Sequence, residues 1–90
     1  MDEERQKQVQ KRFGARLRAV RKAYKVNKGR KISHEALALK CDLDRSYVGR
    51  VERGEINISL INIVRLAEAL EVEVEVEVAE LFRAWTSEKG

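Results

Sequence analysis

The sequence predicts an all-α fold, and three observations carry that prediction. The 90-residue chain has no proline and few aromatics, while Ala, Leu, Val, Glu, Lys and Arg dominate it, a composition that leans towards helix. Apolar residues recur at spacings of three and four through its longer segments. Small polar residues or glycine (Ser33, Asp44, Gly54 and Ser59) stand where helices need caps. A chain of this length is one domain, 1–90, with room for one modest core.

The elements follow in order. From Gln6 to Tyr24 the apolar positions Val9, Phe13, Leu17, Val20 and Tyr24 form a helical stripe with Lys and Arg on the other faces. Residues 25–31 are a basic loop that turns at Gly29. Ser33 caps a second, short helix through Leu39. The segment 41–43 breaks it, and Asp44 caps a third helix over 45–53 that stops at Gly54. After a connection at 55–58, Ser59 caps a fourth helix from Leu60 to Leu70, with Leu60, Ile63, Val64, Ala67 and Leu70 facing inward. Residues 72–78 then alternate Val and Glu strictly, the period of a short β-strand. A fifth helix over 79–85 carries Leu81, Phe82 and Trp85.

Composition also excludes several classes. No apolar run approaches the roughly 18 residues of a membrane span, and the charged N-terminus is not a secretory signal. A single cysteine forms no internal disulfide, which suits a reducing cytoplasm, and one Cys with one His makes no metal site. No catalytic constellation and no cofactor-binding loop is present, so neither an enzyme nor a cofactor is expected. The charge is divided. Residues 1–54 hold 16 Lys/Arg against 7 Asp/Glu, and residues 55–90 hold 3 against 8. One half is suited to a polyanion and the other is not.

Two short helices joined by a three- or four-residue break, the second rich in arginine, match the demands of a helix-turn-helix over about 33–52. Ala38 is small where the two helices must cross. Leu37, Leu43, Val48 and Val51 knit the pair to the core. Arg45, Ser46 and Arg50 point outward from the second helix. The runs Ser33-His34-Glu35-Ala36-Leu37-Ala38, Leu43-Asp44-Arg45-Ser46-Tyr47-Val48 and Arg50-Val51-Glu52-Arg53-Gly54 resemble the lambda-repressor-like, Cro/Xre-type helix-turn-helix family. The likeness extends from about Phe13 to Phe82 and is greatest to short stand-alone regulators, including restriction-modification controller proteins. It implies a five-helix domain that binds double-stranded operator DNA as a twofold homodimer and controls transcription.

Carried over by position, the resemblance puts base reading on Arg45, Ser46 and Arg50, with Tyr47 nearby. Each arginine is able to grip guanine O6 and N7 at roughly 1–3 kcal/mol of discrimination. Phosphate contacts fall on His34, Arg53 and Asn57, with Ser33 and Ser59 at helix N-termini. His34 stands where glutamine is usual, and an exposed cap residue is its alternative role. Gly49 is expected to let the backbone approach DNA. Arg21 and Glu52 match a structural ion pair that ties the first helix to the third.

The departures from the family pattern are also informative. Asp42 occupies a turn position where glycine is usual and must take left-handed backbone. Cys41 fits a small buried site better than a redox switch. The loop 25–31 is longer than the family needs, so Lys28 and Arg30 either reach flanking phosphates or are solvated. The Val-Glu repeat inserts four residues. It either pairs with its twofold mate as a ribbon or forms a helix extension or loop. A dimerisation region is expected over about 72–86, with Val74, Val76, Leu81, Phe82 and Trp85 at its interface. The competing functional class is an antitoxin-like interaction module that autoregulates its operon through the basic half. With no second domain to hold a ligand, no small-molecule effector is expected.

Overall fold

The structure, a computed structural model, describes residues 1–26 and 29–72. Four helices make up this part of the chain: α1 Glu3–Ala23, α2 His34–Lys40, α3 Tyr47–Glu52 and α4 Leu60–Ala69. Helix α3 packs against α1 and α2, and α4 packs against α2. No strand occurs among the described residues; Lys25 and Lys31 form a single antiparallel bridge that closes the basic loop. No helix among the described residues is long and apolar enough to cross a membrane. Residues 73–78 of the expected strand, the fifth helix, Lys28, Val74, Val76, Leu81, Phe82 and Trp85 lie outside the described residues.

Helix α1 begins before the expected Gln6 because Asp2 caps it, accepting from the Arg5 amide at 2.7 Å. Glu3 and Glu4 in its first turn and Arg21 and Lys22 in its last match the helix dipole. Its buried line is Gly14, Leu17 and Arg21. Phe13, Val20 and Tyr24 pack at the edge of the core. Val9, expected in the stripe, is exposed, because residues 1–9 project beyond the core.

The core among the described residues gathers Leu17, Ile32, Leu37, Ala38, Val48, Val51, Leu66 and Leu70, with Cys41 beside them. Ala38 has no exposed surface, as a close helix crossing requires. Helix α4 corrects the inward stripe read from sequence. Leu60 is 65% exposed, and the burial falls on Leu66, Ala67 and Leu70. The helix packs through its C-terminal half, while its first turn overhangs the core.

Three helices end in the same motif, in which the chain reverses through a left-handed residue and two amides return to the last-turn carbonyls. After α2, Asp42 has φ 59°, and the Leu43 amide donates to the Ala38 carbonyl at 2.9 Å. After α3, Gly54 has φ 77°, and the Glu55 amide donates to Arg50 at 2.9 Å. After α4, Glu71 has φ 57°, and the Val72 amide donates to Ala67 at 3.0 Å. The last carbonyls of α4 receive a further donor. Lys40 Nζ bonds Ala69 O at 3.1 Å and the Tyr24 hydroxyl at 2.9 Å, linking α1, α2 and α4. The Tyr24 hydrogen bond raises the Lys40 pKa above its ordinary value.

Cys41 is buried and its thiol lies 3.6 Å from the Arg65 carbonyl. Burial pushes its pKa up, so the group stays a thiol and packs rather than reacts.

Candidate nucleic-acid interface

The inner side of α3 is fixed in three ways. Val48 and Val51 are fully enclosed. Arg21, buried on α1, donates from Nε to Glu52 Oε2 at 2.6 Å and from Nη2 to Oε1 at 3.0 Å. Its remaining Nη1 donates to the Ile32 carbonyl at 2.9 Å. One guanidinium therefore joins α1, α3 and the segment that leads into α2. The fork-to-fork geometry and the third hydrogen bond are what a buried charge pair needs to offset desolvation.

Gly14 supplies the third constraint, one the sequence reading missed. A Cβ there would stand 2.6 Å from the Glu52 carbonyl oxygen and closer still to that of Val51. Glycine is thus what lets α1 lie against the C-terminal end of α3. Gln10 adds a bond from Nε2 to the Gly54 carbonyl at 3.1 Å. An isolated glycine inside a helical apolar pattern was the available signal.

The outer side holds the expected base readers, with one correction. Helix α3 spans Tyr47–Glu52 rather than 45–53, and its N-cap is Ser46 instead of Asp44. The Asp44 carboxylate accepts from both the amide and the hydroxyl of Ser46, and the Tyr47 amide bonds the Asp44 carbonyl at 2.9 Å. This turn keeps Arg45 and Ser46 out of the helix while holding them at its mouth. These hydrogen bonds keep the Asp44 carboxyl below its ordinary pKa. Arg45, Ser46 and Arg50 are all exposed. Tyr47 is half-buried, and its hydroxyl accepts from Asn62 Nδ2 at 3.0 Å, which ties the start of α3 to α4.

The expected phosphate-contacting residues among those described are mostly exposed. Ser33 caps α2 by accepting from the Ala36 amide at 3.0 Å. Arg53 and Asn57 are exposed after α3, and Arg30 is exposed in the loop. His34 is half-buried, with Nδ1 enclosed and without a hydrogen-bond partner. Gly49 differs from expectation. It is buried, and a Cβ there would stand 3.3 Å from His34 Nδ1 and 3.2 Å from Arg53 Nη1. The missing side chain lets His34 and Arg53 lie close against α3.

Two carboxylates on this face were not singled out from the sequence. Glu35 on α2 pairs with Arg45 at 2.8 Å. Glu55, just after α3, pairs with Arg53 at 2.7 Å and stands 3.8 Å from Arg50. The Arg45 hydrogen bond holds Glu35 below the usual carboxylate pKa, and that of Arg53 does the same for Glu55. Glu35 gave no local signal, since its partner is ten residues away; Glu55 was legible as an acid beside a basic helix end. Among the described residues no group of three His, Cys, Asp or Glu is placed to hold a metal.

A helix-turn-helix with one face locked and the other studded with arginine is now in view. The family model described as Helix-turn-helix matches residues 17–76. The chain belongs to the Cro/Xre-type helix-turn-helix family. It is a DNA-binding transcriptional regulator and not an enzyme. Control protein C.BamHI of Bacillus amyloliquefaciens is 43% identical to it over 61 residues, 68% of this chain and 69% of that protein. Control protein C.MunI of a Mycoplasma species is 36% identical over 59 residues, 66% of this chain and 73% of that one. A crystal structure of the restriction-modification controller protein C.AhdI from Aeromonas hydrophila matches 74% of this chain and 88% of its own, with 51% identity and a TM-score of 0.63. In this helix-turn-helix domain, α2 and α3 are the motif, and α1 and α4 are its support.

Proposed function

We propose that this chain is a restriction-modification controller protein that binds a palindromic operator as a homodimer and regulates transcription from it. The observation that carries the reading is the placement of Arg45, Ser46 and Arg50 on the solvent side of a helix mouth whose opposite side is fixed by Val48, Val51 and the Arg21–Glu52 pair. The similarity to C.BamHI, C.MunI and C.AhdI supports the controller class.

The mechanism is binding. Arg45 and Arg50 read guanine edges in the major groove, and Ser46 bonds a base or an adjacent phosphate. Arg53, Asn57 and the α2 N-terminus at Ser33 set the register on the backbone. His34 contributes a phosphate contact through the ring nitrogen that is not enclosed. Lys28 and Arg30 extend the electrostatic contact to flanking phosphates. A twofold dimer, made through the chain after α4 with Val74, Val76, Leu81, Phe82 and Trp85, repeats these contacts about one helical turn away.

Selection from a pool of random duplexes by the purified protein tests this reading. The expected product is a twofold-symmetric motif that binds two chains per duplex in sedimentation. Recovery of no enriched sequence would remove sequence-specific regulation, and one chain per site would remove the homodimer.

A further inference from the structure

Just after α3, Glu55 sets an anion beside the exposed arginines, one that a DNA-binding surface does not need for charge, and its position is built with care. Glu55 follows the left-handed Gly54, and its amide is held by the Arg50 carbonyl at 2.9 Å. Gly54 is itself pinned. Gln10 bonds its carbonyl, and Lys11 packs so closely that a Cβ on residue 54 would lie 2.6 Å from Lys11 Cγ. The backbone therefore starts the Glu55 side chain from a fixed point, and its carboxylate lies between two arginines. Its Oε2 accepts from Arg53 Nε at 2.7 Å, and its Oε1 stands 3.8 Å from Arg50 Nε. All three side chains are about half exposed, so the arrangement is open to exchange with an incoming phosphate.

We propose that Glu55 is a specificity-determining residue of the DNA interface, competing with phosphate for Arg53 and orienting Arg50 through Nε. This inference rests on the DNA-binding function proposed above and adds a role that no base or phosphate contact supplies.

The two actions favour the operator over other DNA for separate reasons. Non-specific binding is almost wholly electrostatic. An arginine already satisfied by a carboxylate gains less from a phosphate, and that carboxylate repels the backbone. Non-specific complexes therefore carry this penalty with nothing to offset it. On the operator, Arg53 moves to a phosphate and Glu55 keeps Arg50 as its partner. A carboxylate on the Nε side leaves the two terminal Nη groups free, and these are the pair that meets guanine O6 and N7. Glu55 then holds Arg50 in a reading conformation whose benefit is realised only where a guanine is present to be read.

The test compares wild type with Glu55→Gln, which keeps size and hydrogen-bonding reach but removes the charge. Affinities are measured across a salt series for the duplex selected by wild type and for an unrelated duplex of equal length. For the unrelated duplex, Glu55→Gln is expected to bind about fivefold more tightly, with the salt slope steeper by about one phosphate contact. The preference for the selected duplex is expected to fall about tenfold. In an Arg53→Gln background, the gain on the unrelated duplex should shrink to the part that comes from repulsion of the backbone alone. A preference that stays at the wild-type value overturns the proposal even if both affinities rise, and so does a gain that is undiminished without Arg53. If wild type itself binds neither duplex at low salt, the DNA-binding reading fails first, a result distinct from a failure of Glu55 alone.

Discussion

Glu52 and Glu55 stand at the end of one helix and both hold arginines, yet they act in different solvents. The Glu52 side chain is 7% exposed and binds Arg21 in a fork that is itself nearly dry. That of Glu55 is 48% exposed and shares two arginines that water reaches freely. The chemistry is the same in both places, and burial decides what it does. A dry pair cannot lose one partner without stranding the other charge, so it acts as architecture. A wet pair is exchanged at little cost, so it adjusts how much cation the surface presents. Helix α3 thus carries its support on one side and its adjustable chemistry on the other.

The largest effect that sharpens this contrast is on the dry pair. Glu52→Ala leaves Arg21 buried without its counter-charge and should cost about 3–5 kcal/mol, read as a lower denaturant midpoint. Glu55→Ala should lower that midpoint far less. Equal midpoints for the two variants would erase the distinction between the two sides.

Gly14→Ala comes next. Alanine in a helix interior is intrinsically favoured over glycine by about 1 kcal/mol. Here the added methyl meets the Val51 and Glu52 carbonyls, backbone atoms that are not free to swing away. Overpacking should win, with a net loss of about 1–3 kcal/mol in equilibrium unfolding. A gain in stability would mean that α1 and α3 do not approach so closely.

The smallest effect is on the wet side and depends on pH. Glu35, Asp44 and Glu55 have pKa values held below the ordinary 4.5 for Glu and 3.8 for Asp. A lowered folded-state pKa contributes stability above the ordinary value and loses it as pH falls through the lowered one. The expected signature is a shallow decline in stability on the acid side of these values, screened by salt. Glu35→Gln should flatten that decline slightly, whereas a steep effect would place the Glu35–Arg45 pair with the dry one.

Much of this division was legible in the sequence, and its limits have physical causes. Helix existence, the caps at Ser33 and Ser59 and the left-handed Asp42 followed from local chemistry. The inward roles of Leu37, Ala38, Val48 and Val51 followed from spacing. The start of α3 was misread because Asp44 was assigned as a helix cap, whereas its carboxylate closes a turn onto Ser46. Leu60 was misread because periodicity marks a face but not how far along the helix its neighbours extend. Gly14 and Gly49 were harder still. A glycine's purpose lies in what would collide with its Cβ, and those neighbours come from other elements. The partnership of Glu35 with Arg45 depends in the same way on how α2 meets the turn before α3.

The two sides of α3 are separable, and Arg50→Ala touches the outer one alone. The operator selected by the wild-type protein, and versions with single guanines replaced, would be titrated with this variant while its thermal midpoint is measured in parallel. The expected result is an unchanged midpoint together with a loss of discrimination at one guanine in each half-site, by roughly 5- to 150-fold. Retained discrimination at every position, or a midpoint that falls as far as that of Glu52→Ala, would contradict it.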